Sequence, residues 1–208
     1  MKNYIIKSIS KQAASEYIAK NHYSHGCSNS ISPCYGLYDE SGENLIGVCA
    51  FSTPCSENVC CSVFGAAMKR NVTELHRLHI LDGTPKNTES WFISRCLKRL
   101  TDDRPDIKAV ISFSDLTEGH TGVIYKATNA YRIGTTRKRT FYIDESGRLR
   151  HPRQCGHNLT KGEAEALGWQ PVQRAGKNRY LWLIAKTRAE RRYLQRICKL
   201  LQNERDSA

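Results

Sequence analysis

The sequence predicts an α+β protein: a mixed, mostly antiparallel sheet flanked by helices. Three observations carry this. Apolar runs of strand length alternate with amphipathic helical stretches along the chain. Two early runs, Ser32–Asp39 and Asn44–Ser52, are joined by Glu40-Ser41-Gly42-Glu43, the signature of an antiparallel hairpin. Later, strand, helix, strand and helix succeed one another in Val72–Ala130, which calls for a parallel neighbour.

Each element has its local reason. Tyr4–Ser10 alternates as a first strand, and Lys11–Asn21 comes next as a helix. Ser10 is placed as its N-cap, with Ala14, Tyr17 and Ile18 on one face. The helix runs into His22-Tyr23-Ser24-His25-Gly26, with Gly26 as its stop. That cluster reads either as chemistry or as a helix end whose dipole favours imidazolium. Thr53–Lys69 is ambiguous, with a short helix around 63–68. Val72–Leu81 alternates, placing Glu74, His76, Leu78 and Ile80 on one side and Leu75, Arg77 and His79 on the other. Asn87 or Thr88 caps a helix over Glu89–Leu100 whose buried stripe is Trp91, Phe92, Cys96, Leu97 and Leu100.

The central stretch is Ile107–Ala130. A β-branched strand ends abruptly in Ser112, Ser114, Asp115, Thr117, Glu118 and His120, and a helix over 123–129 comes after it. Polar side chains at the carboxyl end of a buried strand are where α/β proteins meet substrates. The alternative is a capped connection in which Asp115 only accepts backbone N–H bonds. Beyond it, Tyr131–Ile133, Thr140–Ile143 and Arg148–Arg153 form a basic β segment over 131–153, Tyr180–Ile184 is a last strand, and Ala189–Leu201 a basic helix.

Composition narrows the partners. Lys and Arg number 32 against 20 Asp and Glu, a net charge of +12, which favours a polyanion, nucleic acid before membrane. Tyr4-Ile5-Ile6 is too short for a signal-peptide core, and no apolar run approaches a membrane span, so the expectation is a cytoplasmic protein with no membrane contact. The nine cysteines are odd in number and lack any C-x-x-C, which argues against a disulfide framework or a standard zinc site. His151, Cys155 and His157 form the best zinc grouping and want a fourth ligand. The element order amounts to a single catalytic domain, residues 1–208, with the basic β segment and a basic C-terminal helix as its appendages.

This layout resembles the GCN5-related N-acetyltransferase fold, in which an acyl-CoA lies between the fourth and fifth strands. The resemblance implies that the loop over 81–90, with Gly83, Lys86, Asn87 and Thr88, faces the pyrophosphate. The loop has one glycine and a proline where that fold's phosphate loop is glycine-rich.

A narrower set, His22-Tyr23-Ser24, ELHRLHI with Arg77, and SFSD with GHTGVIYKATNA after it, resembles the Mom family of phage DNA-modification proteins over roughly 15–145. That resemblance implies conversion of adenine in DNA to N6-carbamoylmethyladenine, which hides phage DNA from host restriction. Carried over, its functional positions are His22, Tyr23, Arg77, Asp115 and Tyr125, with Tyr23 and Asp115 as iron ligands and His120 a further candidate. Acetyl-CoA or another small carbon donor would supply the fragment. The product is joined to N6 through a methylene carbon, so plain acetyl transfer does not make it: either a metal assists carbon–nitrogen bond formation at a methyl-derived carbon, or a glycinamide-like nitrogen displaces the adenine amino group. An N6 amine is paired in the duplex, which implies base extrusion and a basic surface. Arg132, Arg137, Lys138, Arg139 and Arg150, interleaved with Tyr131, Phe141 and Tyr142, are the expected face for double-stranded DNA. The basic C-terminal helix is a second such face or a homodimer contact. The competing readings are an acyl-CoA-dependent N-acetyltransferase acting on a protein, RNA or small amine, and a non-enzymatic DNA-binding protein.

Overall fold

A computed structural model describes residues 3–153, 157 and 159–205. Its elements form two compact units. The first comprises Met1–Ser112, Val123–Ile133 and Tyr180–Ala208; the second comprises Phe113–Gly122 and Gly134–Arg179.

A seven-stranded sheet dominates. Its strands are β1 (Ile5–Ser8), β2 (Ile31–Tyr38), β3 (Leu45–Ser52), β4 (Val72–Ile80), β5 (Ala109–Asp115), β6 (Tyr131–Thr135) and β10 (Lys177–Leu183), in the order β1-β2-β3-β4-β5-β10-β6. β1 to β4 pair antiparallel in turn, and β4 pairs parallel with β5. The hairpin turn is organised by Asp39, whose carboxylate accepts from Ser41 Oγ, Gly42 N–H and Asn44 Nδ2.

Helix α1 (Lys11–Asn21) is capped by Ser10, which accepts from the Ala13 N–H. It buries Ala14, Tyr17 and Ile18 against Ile31, Cys34, Val48 and Ala50. It has the expected bounds, and its C-cap is His22 rather than Gly26, with the His22 N–H closing on the Ile18 carbonyl. The opposite sheet face packs on α3 (Thr88–Asp103), whose Phe92, Ile93, Cys96 and Leu100 meet Tyr35, Cys49, Phe51, Val110 and Tyr180. Truncating Phe92 to Ala would cost about 3–5 kcal/mol. The ambiguous stretch holds α2 (Glu57–Phe64) and then a 3₁₀ turn over Ala66–Asn71. α4 is shorter than expected, Val123–Lys126. The C-terminal helix breaks at Cys198 into α6 (Arg188–Ile197) and α7 (Lys199–Arg205).

The second unit has a three-stranded sheet built from β7 (Arg139–Ile143), β8 (Leu149–Arg150) and β9 (Gln170–Arg174), in the order β8-β7-β9. Tyr142, Leu159, Ala164 and Trp169 form its core, with Ala164 on α5 (Lys161–Ala166). The basic segment is divided between the sheets: Tyr131–Thr135 joins the large one and Arg139–Ile143 the small one.

Two irregularities mark β4. Ala50 opposes Arg77 while Phe51 opposes Leu75, so His76 is an extra residue, a β-bulge. The bulge resets the alternation: Leu75 and Leu78 both enter the α3-side core, and Arg77 and His79 fall on the α1 side. The β4–β5 ladder covers only Val72↔Ala109, Thr73↔Val110 and Glu74↔Ile111. β4 runs on to Ile80 with no further β5 pairing, so the two parallel strands part beyond Glu74.

Candidate active site

In the first unit, the polar residues of β4 hold the loop that leaves α1. Arg77 donates from Nε to the Gly26 carbonyl (2.9 Å) and from Nη1 to the His76 carbonyl (2.8 Å). His76 Nε2 accepts from the Ser28 N–H (3.1 Å), and its Nδ1 lies 3.5 Å from Glu74 Oε1. Because the bulge turns neighbouring residues toward the same loop, two successive side chains clamp residues 26–28. Arg77 thus has a positioning contact here.

That loop carries His22 and Tyr23. His22 is 7% exposed, and its Nδ1 accepts the Ser24 N–H at 3.0 Å. A backbone donor on Nδ1 places the proton of the neutral ring on Nε2. Tyr23 stacks on the His22 ring at 4.2 Å between centroids, and it is 49% exposed. Behind them, Tyr17 donates its hydroxyl proton to the Ile46 carbonyl and lies 3.2 Å from His79 Nδ1. Burial pushes the Tyr17 phenol up and the His79 imidazole down, so both are neutral at pH 7.

Tyr125 on α4 sits in an aromatic corner, 5.1 Å from Tyr180 and 5.3 Å, edge-on, from Trp182. Trp182 Nε1 donates to the Thr128 carbonyl and Oγ1, and Thr128 Oγ1 donates to the Tyr125 carbonyl, which fixes the short helix. Burial pushes the Tyr125 phenol up to about 12, reinforced by Tyr23, Cys49 and Glu74 and opposed by a hydrogen bond with Ser112. Tyr125 is therefore protonated at neutral pH and able to donate a hydrogen bond. Ser112 Oγ donates its one proton to the Leu75 carbonyl (3.0 Å), one residue past the end of the β4–β5 ladder.

The second unit holds Asp115, 5% exposed at the tip of β5. Its Oδ1 accepts the Thr117 N–H at 3.0 Å, and its Oδ2 lies 3.0 Å from Lys177 Nζ and 3.3 Å from Arg174 Nη2. Burial works to raise its pKa. Lys177, the Thr117 N–H and Arg174 outweigh that, and the carboxyl is held below its ordinary value. Arg174 also bridges to Glu118 at 2.6 Å, and the Ala175 N–H donates to Thr117 Oγ1. Asp115 is therefore an ionised carboxylate at neutral pH and a weak base. Sequence reasoning missed Arg174 and Lys177; the one signal was a basic residue on each side of Ala175-Gly176, at the turn between two strands.

Other expected residues are placed differently. Tyr23 lies in the first unit and Asp115 in the second. Among the described residues, no three His, Cys, Asp or Glu are grouped to hold a metal. With Asp115 engaged by two cations, the expected iron pair does not fit this arrangement. His120 is exposed; its N–H donates to the Asp115 carbonyl. Of the zinc grouping, Cys155 lies outside the described residues, and His151 Nδ1 accepts from the Arg153 N–H. In the loop before α3, Gly83 and Lys86 are exposed, Gly83 and Asn87 have positive φ, and buried Thr88 donates its hydroxyl to the Pro85 carbonyl. Arg132, Arg137, Lys138 and Arg139 are exposed. The Arg150 guanidinium is ion-paired to Asp144 at 2.6 Å.

A helix before an antiparallel hairpin, a bulged fourth strand and a parallel fifth that parts from it define an N-acetyltransferase-like fold. The ribosomal-protein-S18-alanine N-acetyltransferase of Escherichia coli superposes with a TM-score of 0.51 at 8% identity, covering 88% of this chain and 96% of that one. Arabidopsis thaliana NAA60, solved with acetyl-CoA, gives 0.50 at 11% identity, covering 88% and 99%. These likenesses concern fold alone. The chain belongs to the Mom protein family, whose pattern matches residues 3–200. It is 33% identical over 137 residues to the methylcarbamoylase Mom of Escherichia phage Mu, a match that covers 66% of this chain and 56% of that relative's length.

Proposed function

We propose that this chain modifies DNA, converting adenine to N6-carbamoylmethyladenine and so shielding phage DNA from restriction. The observation that carries the reading is family membership over 3–200, together with the similarity to the phage Mu methylcarbamoylase. The site's chemistry is consistent with it. Tyr125, neutral at pH 7, would donate a proton or hydrogen bond to the incoming fragment or to the base. Tyr23, half-exposed and backed by His22, offers a ring on which an extruded base would stack. If N6 displaces a leaving group from the donor's methylene carbon, N6 becomes cationic and its two protons become acidic, so even a weak base such as Asp115 suffices to accept one of them.

A CoA-type or other small carbon donor would lie along β4 beyond Glu74, with its phosphates near Gly83, Lys86 and Asn87 at the start of α3. Arg132, Arg137, Lys138 and Arg139 would carry double-stranded DNA by phosphate contacts. No described helix is long and apolar enough to cross a membrane, and the reading places the protein in the cytoplasm with its DNA. A homodimer through α6 is a further expectation, checked by light scattering.

The test is nucleoside mass spectrometry of DNA from cells expressing the chain. N6-carbamoylmethyladenine is the expected product. Unmodified adenine, together with transfer of label from acetyl-CoA to a non-DNA amine, would replace this reading with an ordinary N-acetyltransferase, which the fold alone favours.

A further inference from the structure

Ser114 sits at the tip of β5, between Phe113 and Asp115, and is 3% exposed. Among the described residues, its Oγ is the buried side-chain oxygen with no hydrogen-bond partner. Its neighbours differ. Asp115 is held by Thr117, Arg174 and Lys177; Glu118 by Arg174; Thr117 Oγ1 by the Ala175 N–H. Ser112, two residues earlier on the same strand face, donates to the Leu75 carbonyl. Ser114 lies three residues past the last β4–β5 pair. A buried hydroxyl left without a partner destabilises a fold, and such groups in native proteins call for an explanation. A serine at the carboxyl tip of a central strand has one in a ligand.

The charges around it indicate which ligand. Asp115 and Glu118 are matched by Arg174 and Lys177, two of each sign, already in contact. No net charge remains at the tip to hold a phosphate or a carboxylate. A hydroxyl both donates and accepts, and so fits a group that presents an N–H beside an oxygen or ring nitrogen. We propose that Ser114 Oγ hydrogen-bonds a neutral, amide-like edge of the reacting pair: the carboxamide of the transferred fragment or the N6–N1 edge of adenine. The inference rests on the reading of the β5 tip as part of the active site.

The experiment compares full-length wild type with Ser114→Ala in three readouts: thermal unfolding, adenine modification in cells, and binding of free glycinamide and free adenine by saturation-transfer NMR. The expected variant unfolds at or above the wild-type midpoint, because an unpartnered hydroxyl is gone. It modifies DNA at least tenfold less and loses binding of one probe. Loss of glycinamide identifies the fragment as the ligand; loss of adenine identifies the base. Modification within twofold of wild type overturns the proposal. So does a midpoint several degrees lower, which would mean that water satisfies the hydroxyl and its role is structural, or probe binding equal in both proteins. Absence of modified adenine in the wild type would refute the proposed function instead, and the unfolding and probe measurements would still decide the role of Ser114.

Discussion

Arg174→Met tests whether the cations around Asp115 hold the second unit together. Arg174 is 15% exposed at its side chain and reaches Glu118 at 2.6 Å and Asp115 at 3.3 Å. Removing one partner of a buried ion pair costs about 3–5 kcal/mol. Lys177 remains 3.0 Å from Asp115, but its side chain is 45% exposed, and Glu118 can turn toward water. The loss is therefore expected near 2 kcal/mol at pH 7, between the buried and surface cases. The sign with pH comes from the lowered Asp115 pKa. Stability from a depressed carboxyl is present above its unfolded value, about 4, and is lost as pH falls through the folded value. The difference between wild type and variant should shrink below pH 4 to about 0.5 kcal/mol, the loss of Arg174 packing on the Phe141 ring. Urea unfolding monitored by pulse hydrogen exchange, read on peptides covering 139–143 and 170–174, reports the second unit directly. A difference below about 0.5 kcal/mol at pH 7 would make the network a surface feature. A difference independent of pH would show that Asp115 is not its centre.

Three further outcomes bear on the proposed reaction. Tyr125→Phe keeps the ring between Tyr180 and Trp182 and removes its proton; modification should fall by about 10²-fold or more with DNA binding retained, and full activity would remove Tyr125 from catalysis. Asp115→Asn keeps the shape and leaves Lys177 and Arg174 facing an uncharged amide; modification is expected to vanish while the protein still binds DNA, and an active variant would exclude Asp115 as base. Replacing Arg137, Lys138 and Arg139 with Ala should flatten the salt dependence of DNA binding by about 2–3 in slope, about one per phosphate contact. Arg150→Ala, whose guanidinium is held by Asp144, should leave that slope unchanged; equal slopes in both variants would clear the 137–139 loop of any part in DNA binding.

What the sequence made legible depended on the range of the forces involved. The Ser10 cap, the buried face of α1, the early hairpin and the stripe of α3 depend on residues a few positions apart, and they are present, except that Ile93 joins the α3 stripe while Trp91 and Leu97 are half-buried. The family motifs were legible for the same reason, being short and ordered. Pairing at a distance was not. Tyr131–Thr135 and Arg139–Ile143 look alike as neighbouring basic strands, yet they join different sheets, because β6 neighbours β10 while β7 pairs with β9. The partners of Asp115 lie in a turn some 59 residues further along the chain, and nothing local to SFSD names them.

The bulge at His76 shows why the site itself was hardest to read. Strict alternation in ELHRLHI puts His76, Leu78 and Ile80 on one side, and the two aliphatic residues among them agree with that phase. One extra residue against β3 shifts the phase, so that Leu75 and Leu78 share the core while Arg77 and His79 turn toward α1. The same irregularity gives Arg77 and His76 their hold on residues 26–28, the segment next to His22 and Tyr23. A regular strand would have sent these neighbouring side chains to opposite faces. The polar residues of β4 can gather around one loop only because the local rule is broken there. Breaks of this kind are expected where a fold carries chemistry, and they leave no mark in a period-two pattern.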